Sequence, residues 1–336
     1  MLKVAINGFG RIGRATFKAL LDKKGVEVVA INDLTDATTL AHLLQYDSAY
    51  GIYNKKVSAN KDLIIVGGKK YKVFAERDPK LLPWKELGVD VVIESTGIFR
   101  DSVGAGAHLI AGAKKVIISA PGKDDSVKTF ALGVNAEKIK KTDKIISMAS
   151  CTTNCLAPVT DIIKQAFGIK KALMTTTHSY TADQNLVDGP HKDLRRARSA
   201  ALSIIPTSTG AAVAVTKTIP ELAGSFDGMA LRVPTPVGSL CDAVYLLKKQ
   251  VTVEELNQAI IKGSKQPKYK GIVETTTDQI VSADIVGNPA SAIVDLSLTK
   301  VIGSDLVKVI SWYDNECGYS NRLADLCVYV YKKKLL

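Results

Sequence analysis

The stretch Lys3-Val4-Ala5-Ile6-Asn7-Gly8-Phe9-Gly10-Arg11-Ile12-Gly13-Arg14 decides the fold. Lys3 to Asn7 reads as a short buried strand, Gly8, Gly10 and Gly13 as a GxGxxG turn, and Arg14 to Leu21 as the helix that follows, because apolar residues recur there at helical spacing. Val26 to Ile31 supplies the next strand, and Asp33 stands just beyond it. Strand, glycine turn, helix, strand and acid in that order are what a dinucleotide site requires. The glycines let backbone approach a pyrophosphate, the helix N-terminus faces its charge, and the acid accepts from a ribose hydroxyl. An ordinary glycine-rich loop leaves the placement of Asp33 unexplained. A 2′-phosphate beside that carboxylate would be repelled, so the pattern favours NAD over NADP.

Working outward, strands at Val89 to Glu94, Val116 to Ser119 and Ile145 to Ser147 alternate with helical patterns near Thr35 to Gln45 and Ser102 to Ala111. Such alternation predicts an α/β unit, a doubly wound parallel sheet of Rossmann type. Leu63 to Phe74 reads as a hairpin turned by Gly67-Gly68. After Cys151 the pattern changes to longer strands, at Ala172 to Thr177, Phe226 to Val233, Leu240 to Lys248, Ile293 to Leu298 and Leu306 to Trp312. An α+β unit with a mostly antiparallel sheet fits them. At 336 residues the chain suggests two domains, with residues 1–150 binding a dinucleotide and residues 151–317 catalytic. Thr181 to Ile205 has little periodicity, and a structureless segment of that length is normally functional or covered by a partner.

At the junction stands Ala149-Ser150-Cys151-Thr152-Thr153-Asn154-Cys155-Leu156-Ala157-Pro158. Cys151 opens an apolar helical pattern, and a helix N-terminus favours a thiolate and can hold the oxyanion formed when sulfur attacks a carbonyl. The plainer alternative is two buried cysteines, Cys151 and Cys155, on one helical face. A nucleophile needs a base, and His178, at the end of the β-branched run Thr175-Thr176-Thr177, is the candidate. Taken singly, a histidine is more often structural.

Composition excludes several classes. Hydrophobic content of 46% and charged content of 23% are globular values, and no apolar run is long enough for a membrane span. Met1-Leu2-Lys3 leads straight into the first strand without a signal peptide, and five cysteines lack metal-ligand or disulfide spacing, so a cytoplasmic protein without a metal is expected. The net charge of +12 is spread over scattered lysines, with one dense group, His191-Lys192-Asp193-Leu194-Arg195-Arg196-Ala197-Arg198, suited to gathering phosphates. Aromatic residues do not alternate with these bases, which argues against nucleic acid as the primary partner.

These segments, with Ala75-Glu76-Arg77-Asp78-Pro79, Pro206-Thr207-Ser208-Thr209-Gly210-Ala211-Ala212, Arg232-Val233-Pro234-Thr235-Pro236 and Trp312-Tyr313-Asp314-Asn315-Glu316, make the chain resemble the phosphorylating glyceraldehyde-3-phosphate dehydrogenases from end to end. The resemblance implies oxidation of glyceraldehyde 3-phosphate to 1,3-bisphosphoglycerate with NAD and inorganic phosphate, through a thiohemiacetal and an acyl thioester on Cys151, with His178 as base. It implies a homotetramer in which the Thr181–Ile205 loop packs against a neighbour's cofactor, and a last helix, 318–336, that completes the first domain. For the cofactor it implies Gly8, Gly10, Arg11, Ile12, Gly13, Asp33, Arg77, Ser119 and Asn315, with Glu316 and Tyr319 supporting the nicotinamide end. Thr181, Asp183 and Arg232 would hold the substrate phosphate. Ser150, Thr152, Thr209, Gly210 and a loop arginine would hold the attacking one, and spacing does not choose between Arg196 and Arg198. For each hydroxyl taken alone, a turn or cap role is the simpler reading. Met148 and Cys317 depart from the family's usual residues. An erythrose-4-phosphate dehydrogenase, or a secondary nucleic-acid role for the basic surface, stands as the alternative.

Overall fold

The computed structural model describes residues 1–336, which form two compact units. The first comprises Met1–Phe130, Glu137–Ala149 and Ser320–Leu336, and the second Ala131–Ala136 and Ser150–Tyr319.

The first unit carries eleven strands: β1 (Leu2–Asn7), β2 (Val26–Asn32), β3 (Tyr46–Asp47), β4 (Gly51–Ile52), β5 (Val57–Asn60), β6 (Leu63–Val66), β7 (Lys69–Phe74), β8 (Val91–Glu94), β9 (Lys115–Ile118), β10 (Lys128–Thr129) and β11 (Ile145–Ser147). Its helices are α1 (Arg11–Leu21), α2 (Ala37–Gln45), α3 (Trp84–Leu87) and α4 (Ser102–Ile110). Nine strands make one sheet in the order β10-β11-β9-β8-β1-β2-β7-β6-β5. Strands β10 through β7 run parallel, whereas the β6–β7 hairpin turned at Gly67-Gly68 and its partner β5 are antiparallel. The expected doubly wound sheet is present. Its order reverses at β1, with β2 on one side and β8 on the other, and such a reversal opens a crevice at the carboxyl ends of the strands. The strands read as nearly continuous apolar runs because both faces are covered: Val4, Ala5, Ile6, Val91, Val92 and Ile93 are fully buried.

The second unit contains β12 (Ile169–Ser179), β13 (Ile205–Thr207), β14 (Phe226–Val233), β15 (Ser239–Leu247), β16 (Val273–Thr276), β17 (Ala292–Ile302) and β18 (Leu306–Tyr313). They form a mixed, mostly antiparallel sheet in the order β13-β14-β12-β15-β18-β17-β16. Helices α5 (Cys151–Phe167), α6 (Ala211–Thr218) and α7 (Val253–Ser264) contribute Leu156, Ile162, Val215, Leu256 and Ile260 to a core shared with Met174, Tyr245, Val294 and Val309 of the sheet. Pro158 lies inside α5, where the lost N–H and the ring clash cost about 3 kcal/mol. Burial of Leu156, Val159, Ile162 and Ile163, each stabilising by about 1.5–3 kcal/mol, outweighs it. A last helix, α8 (Cys317–Lys332), begins in the second unit, and from Ser320 onward its residues belong to the first.

The glycine turn works by clearance. A methyl group on Gly13 would lie 2.1 Å from the Gly8 carbonyl oxygen, and backbone cannot swing aside. Gly13→Ala should therefore lower stability by about 1–3 kcal/mol, the usual cost of overpacking. The denaturation midpoint should fall well below that of Gly10→Ala, whose methyl would meet nothing within 4 Å. Equal midpoints would show that strand and helix do not approach this closely.

Candidate active site

The crevice of the first unit is a cleft of about 440 Å³. Gly8, Gly10, Asp33 and Arg77 line it, as the sequence led one to expect, together with Asn32, Glu76, Ser95, Thr96 and Phe99. Asp33 is held by two backbone donors, Phe9 N–H at 2.7 Å on Oδ2 and Thr35 N–H at 2.9 Å on Oδ1. Each carboxylate oxygen keeps a lone pair for a ribose hydroxyl. Helix α1 starts at Arg11 without a side-chain cap at Gly10, so its first turn faces the cleft with backbone rather than with a competing side chain. The Arg11 side chain is turned to Asp47, 2.7 Å away, which leaves backbone as its contribution here. Gly8 has φ +91, and a side chain there would meet the Thr96 backbone at 2.7 Å. Ser119, expected on the ribose path, follows β9, and its N–H pairs with the Glu94 carbonyl at 2.9 Å. These residues fit a dinucleotide: clearance for a pyrophosphate, an uncapped helix start and a fixed acceptor.

In the second unit, Cys151 is the first residue of α5 and is partly exposed. Ser150 caps the helix, its hydroxyl accepting from Thr153 N–H at 3.1 Å. Cys151 Sγ lies 3.4 Å from His178 Nε2. His178 Nδ1 is 2.6 Å from the Ser179 carbonyl, which can only accept, so Nδ1 carries the proton and Nε2 presents a lone pair to the thiol. Burial pushes the Cys151 thiol up to about 11, with the Arg232 charge and the Thr152 hydroxyl opposing it. Burial also holds the His178 imidazole down to about 3, and Arg232 adds to that shift. Sγ and Nε2 are close enough for a proton to pass between them, and the opposite charges left by such a transfer would stabilise each other.

The register of β12 on β14 sets Arg232 beside His178. The Arg232 guanidinium donates to Thr181 Oγ1 at 2.8 Å and to the Ser179 carbonyl at 3.1 Å. Thr181 donates to Asp183. Arg196 joins the same constellation, donating to Asp183 Oδ2 at 2.5 Å, to Thr207 Oγ1 at 3.0 Å and to the Ser208 carbonyl at 3.2 Å. Burial opposes ionisation of Asp183, but the Thr181 hydroxyl and the charges of Arg232 and Arg196 hold its carboxyl below the usual carboxylate range. Arg196 is 18% exposed, whereas Arg198 is 68% exposed and pairs outward with Asp188 at 2.8 Å. Structure separates the two arginines that spacing left equivalent. Thr209 Oγ1 accepts from Ala211 N–H at 3.1 Å and Gly210 is the residue before α6, so both sit at a helix start next to Ser208.

Thr152 is 3% exposed, and its hydroxyl pairs with Tyr313 at 2.9 Å. Tyr313 in turn meets Thr176 at 2.8 Å and sets its ring edge-to-face with His178. Neither partner was legible in the sequence. Asn315 Oδ1 accepts from Ser179 Oγ (2.7 Å), Ser239 Oγ (2.9 Å) and Gly238 N–H (3.1 Å), which fixes the amide orientation and leaves its NH₂ as a donor. Cys317 Sγ donates to the Gly287 carbonyl at 3.3 Å, and Met148 is buried with its N–H on the Ile118 carbonyl at 3.2 Å.

A dinucleotide cleft in one unit and a thiol–imidazole pair ringed by cationic and hydroxyl groups in the other define an oxidoreductase of the nucleotide-dependent dehydrogenase class. Residues 2–102 match the family described as glyceraldehyde 3-phosphate dehydrogenase, NAD binding domain, and residues 150–315 match its C-terminal domain. Similar proteins include the glyceraldehyde-3-phosphate dehydrogenase of Borreliella burgdorferi, 55% identical over 97% of this chain and 98% of that one. That of Geobacillus stearothermophilus is 54% identical over 99% of both chains. The chain belongs to the glyceraldehyde-3-phosphate dehydrogenase family, and its cofactor is NAD. No helix is long and apolar enough to cross a membrane.

Two measurements check this geometry. Without an imidazole to receive the proton, alkylation of Cys151 by a small neutral reagent at pH 7 should slow more than tenfold in His178→Asn, the deficit shrinking as pH rises toward the thiol's own value of about 11. Unchanged alkylation would separate the two residues. A second negative charge about 4 Å from Asp33 costs about 1 kcal/mol in water and about 4 kcal/mol at an effective dielectric of 20. The specificity constant for NAD should therefore exceed that for NADP at least tenfold, and Asp33→Gly should collapse the ratio. A ratio unmoved by the substitution would remove Asp33 from the ribose.

Proposed function

We propose that this enzyme carries out the glycolytic oxidation of glyceraldehyde 3-phosphate to 1,3-bisphosphoglycerate, with NAD and inorganic phosphate. The observation that carries this reading is the 3.4 Å approach of Cys151 Sγ to an imidazole nitrogen whose lone pair is fixed by the Ser179 carbonyl. Cys151 adds to the aldehyde carbon as its proton passes by way of His178 Nε2 to the carbonyl oxygen, giving a thiohemiacetal and a neutral imidazole. NAD, when bound, supplies the hydride acceptor. His178 takes the hydroxyl proton as the thiohemiacetal becomes a thioester on Cys151. Phosphate oxygen then attacks the thioester carbon, the C–S bond breaks, and the acyl phosphate leaves as His178 returns its proton to sulfur, restoring the thiol.

The two phosphates call for separate cations. Arg232 with Thr181 and Asp183 takes the substrate phosphate, and Arg196 rather than Arg198 serves the attacking one, because only Arg196 faces Thr207 and Ser208 beside Thr209 and Gly210. Ser150 contributes at the start of α5. Thr152 acts from below: its hydroxyl is 3.9 Å from Cys151 Sγ and is committed to Tyr313. Asn315 presents its NH₂ to the nicotinamide carboxamide. We assign residues 1–150 with the end of α8 to the cofactor domain and the rest to the catalytic domain. A homotetramer is supported by the Thr181–Ile205 segment, which exposes Leu186, Val187, Leu194, Leu202 and Ile204, too much apolar surface to leave in water. All five cysteines are free, as suits a reducing cytoplasm.

NAD reduction with glyceraldehyde 3-phosphate should require inorganic phosphate for sustained turnover. Cys151→Ser should abolish it while NAD still binds, and His178→Asn should slow it by about 10²–10⁴. Phosphate-independent turnover, substantial activity in Cys151→Ser, or a faster rate with erythrose 4-phosphate would each overturn the assignment.

A further inference from the structure

His108 is fully buried on α4, outside the cleft wall and outside the chemistry described above. Its partners are unusual. The indole N–H of Trp84 reaches His108 Nδ1 at 3.0 Å, and an indole can only donate. Nδ1 is therefore the acceptor, the proton of the neutral ring sits on Nε2, and it points at Glu94 Oε2, 3.0 Å away.

Glu94 is 1% exposed at the carboxyl end of β8, and no lysine or arginine bonds it. Donors take the place of a cation. Oε2 receives Asn7 Nδ2 at 2.5 Å as well as His108, and Oε1 receives the Thr96 N–H at 2.8 Å and the Thr96 hydroxyl. The chain of bonds continues along the carboxyl ends of the strands. Asn7 Oδ1 accepts from Asn32 Nδ2 at 2.7 Å, and Asn32 clamps Glu76 with both ends of its amide, Nδ2 to the carbonyl and Oδ1 from the N–H, each at 2.9 Å. Asn7, Asn32, Glu76 and Thr96 all line the cleft, and so does Phe99, whose ring stands edge-on to His108 at 6.5 Å. Asn32 is oriented by the Glu76 main chain and Asn7 by the Glu94 carboxylate, which can only accept, so what His108 sets is the position of that carboxylate at the head of the chain.

We propose that His108 is a positioning residue for the adenosine half of NAD, acting through Glu94, Asn7 and Asn32 on the loop that carries Glu76 and Arg77. A leucine of similar bulk would leave Glu94 short of a donor and Trp84 without an acceptor, and the carboxylate that holds Asn7 and Thr96 at the cleft would lose its anchor.

The inference rests on the adenosine half lying in this cleft. The test measures binding of NAD and of ADP-ribose to the full chain by titration calorimetry, with thermal denaturation to confirm folding. In His108→Leu both dissociation constants should rise about tenfold, and by the same factor. KM for NAD should rise with them, with kcat at saturating NAD within about twofold of the unmodified enzyme. His108→Gln, whose amide reaches as far as Nε2 and can donate to Glu94, should restore most of the affinity; His108→Asn, which falls short, should not. Should His108→Leu fail to fold, the contrast between Gln and Asn decides. Unchanged dissociation constants in a folded His108→Leu, a loss confined to kcat, or equal affinities in the Gln and Asn variants would overturn the proposal. Asp33→Gly measured alongside separates the two failures. Weak binding there with normal binding in His108→Leu rejects the role of His108 alone, whereas normal binding in both removes the adenosine from the cleft.

Discussion

The arrangement in the second unit depends on strand register. Strand β12 lies between β14 and β15, and its pairing sets His178 opposite Arg232 on one side, while β15 sets Ser239 opposite Tyr313 of β18 on the other. Because side chains alternate faces, a slip of one residue in any of these pairings would turn its functional side chain to the opposite face of the sheet. The long parallel pairing from Ala172–Phe226 to Ser179–Val233 resists such a slip, since it would move Ala172 and Met174 out of the core beneath α5. Fold stability and site geometry are the same constraint here.

Two buried histidines, His178 and His108, present opposite faces of the same chemistry. In both, the outcome is decided by the partner of Nδ1. The Ser179 carbonyl accepts from His178 and so leaves Nε2 as a lone pair facing sulfur, whereas the Trp84 indole donates to His108 and makes Nε2 a donor facing a carboxylate. Charge in the catalytic unit is carried by arginines, and every hydrogen bond named around Arg232 and Arg196 leads to an oxygen that an incoming phosphate could replace or join.

Hydroxyls divide along similar lines. Ser150 caps α5, and Thr209 accepts from the first N–H of α6, so both hydroxyls stay at helix starts. Thr152, next to the nucleophile in the chain, is turned into the core to meet Tyr313. Adjacent residues on a helix point about 100° apart, so Thr152 does not share the outlook of Cys151.

The sequence by itself determined the doubly wound sheet, the glycine turn, the acid after the second strand, and the cysteine at a helix start, because each is written in local periodicity or spacing. Asp33 and Gly8 stand in the cleft, and Cys151 heads α5. Tertiary structure alone decided the different settings of Arg196 and Arg198, one half-buried against Thr207 and Ser208 and the other turned outward to Asp188, the fixed amide of Asn315, and the chain from Trp84 through Glu94 to Glu76. The physical reason is the same in each case. Periodicity records which face of an element is buried, but a hydrogen bond is set by direction and by distances of about 3 Å between atoms far apart in the chain. Thr152 and Tyr313 are 161 residues apart, and Asn7 and Glu94 are 87 apart. No spacing in the sequence encodes which donor will face which acceptor until the strands between them are in register.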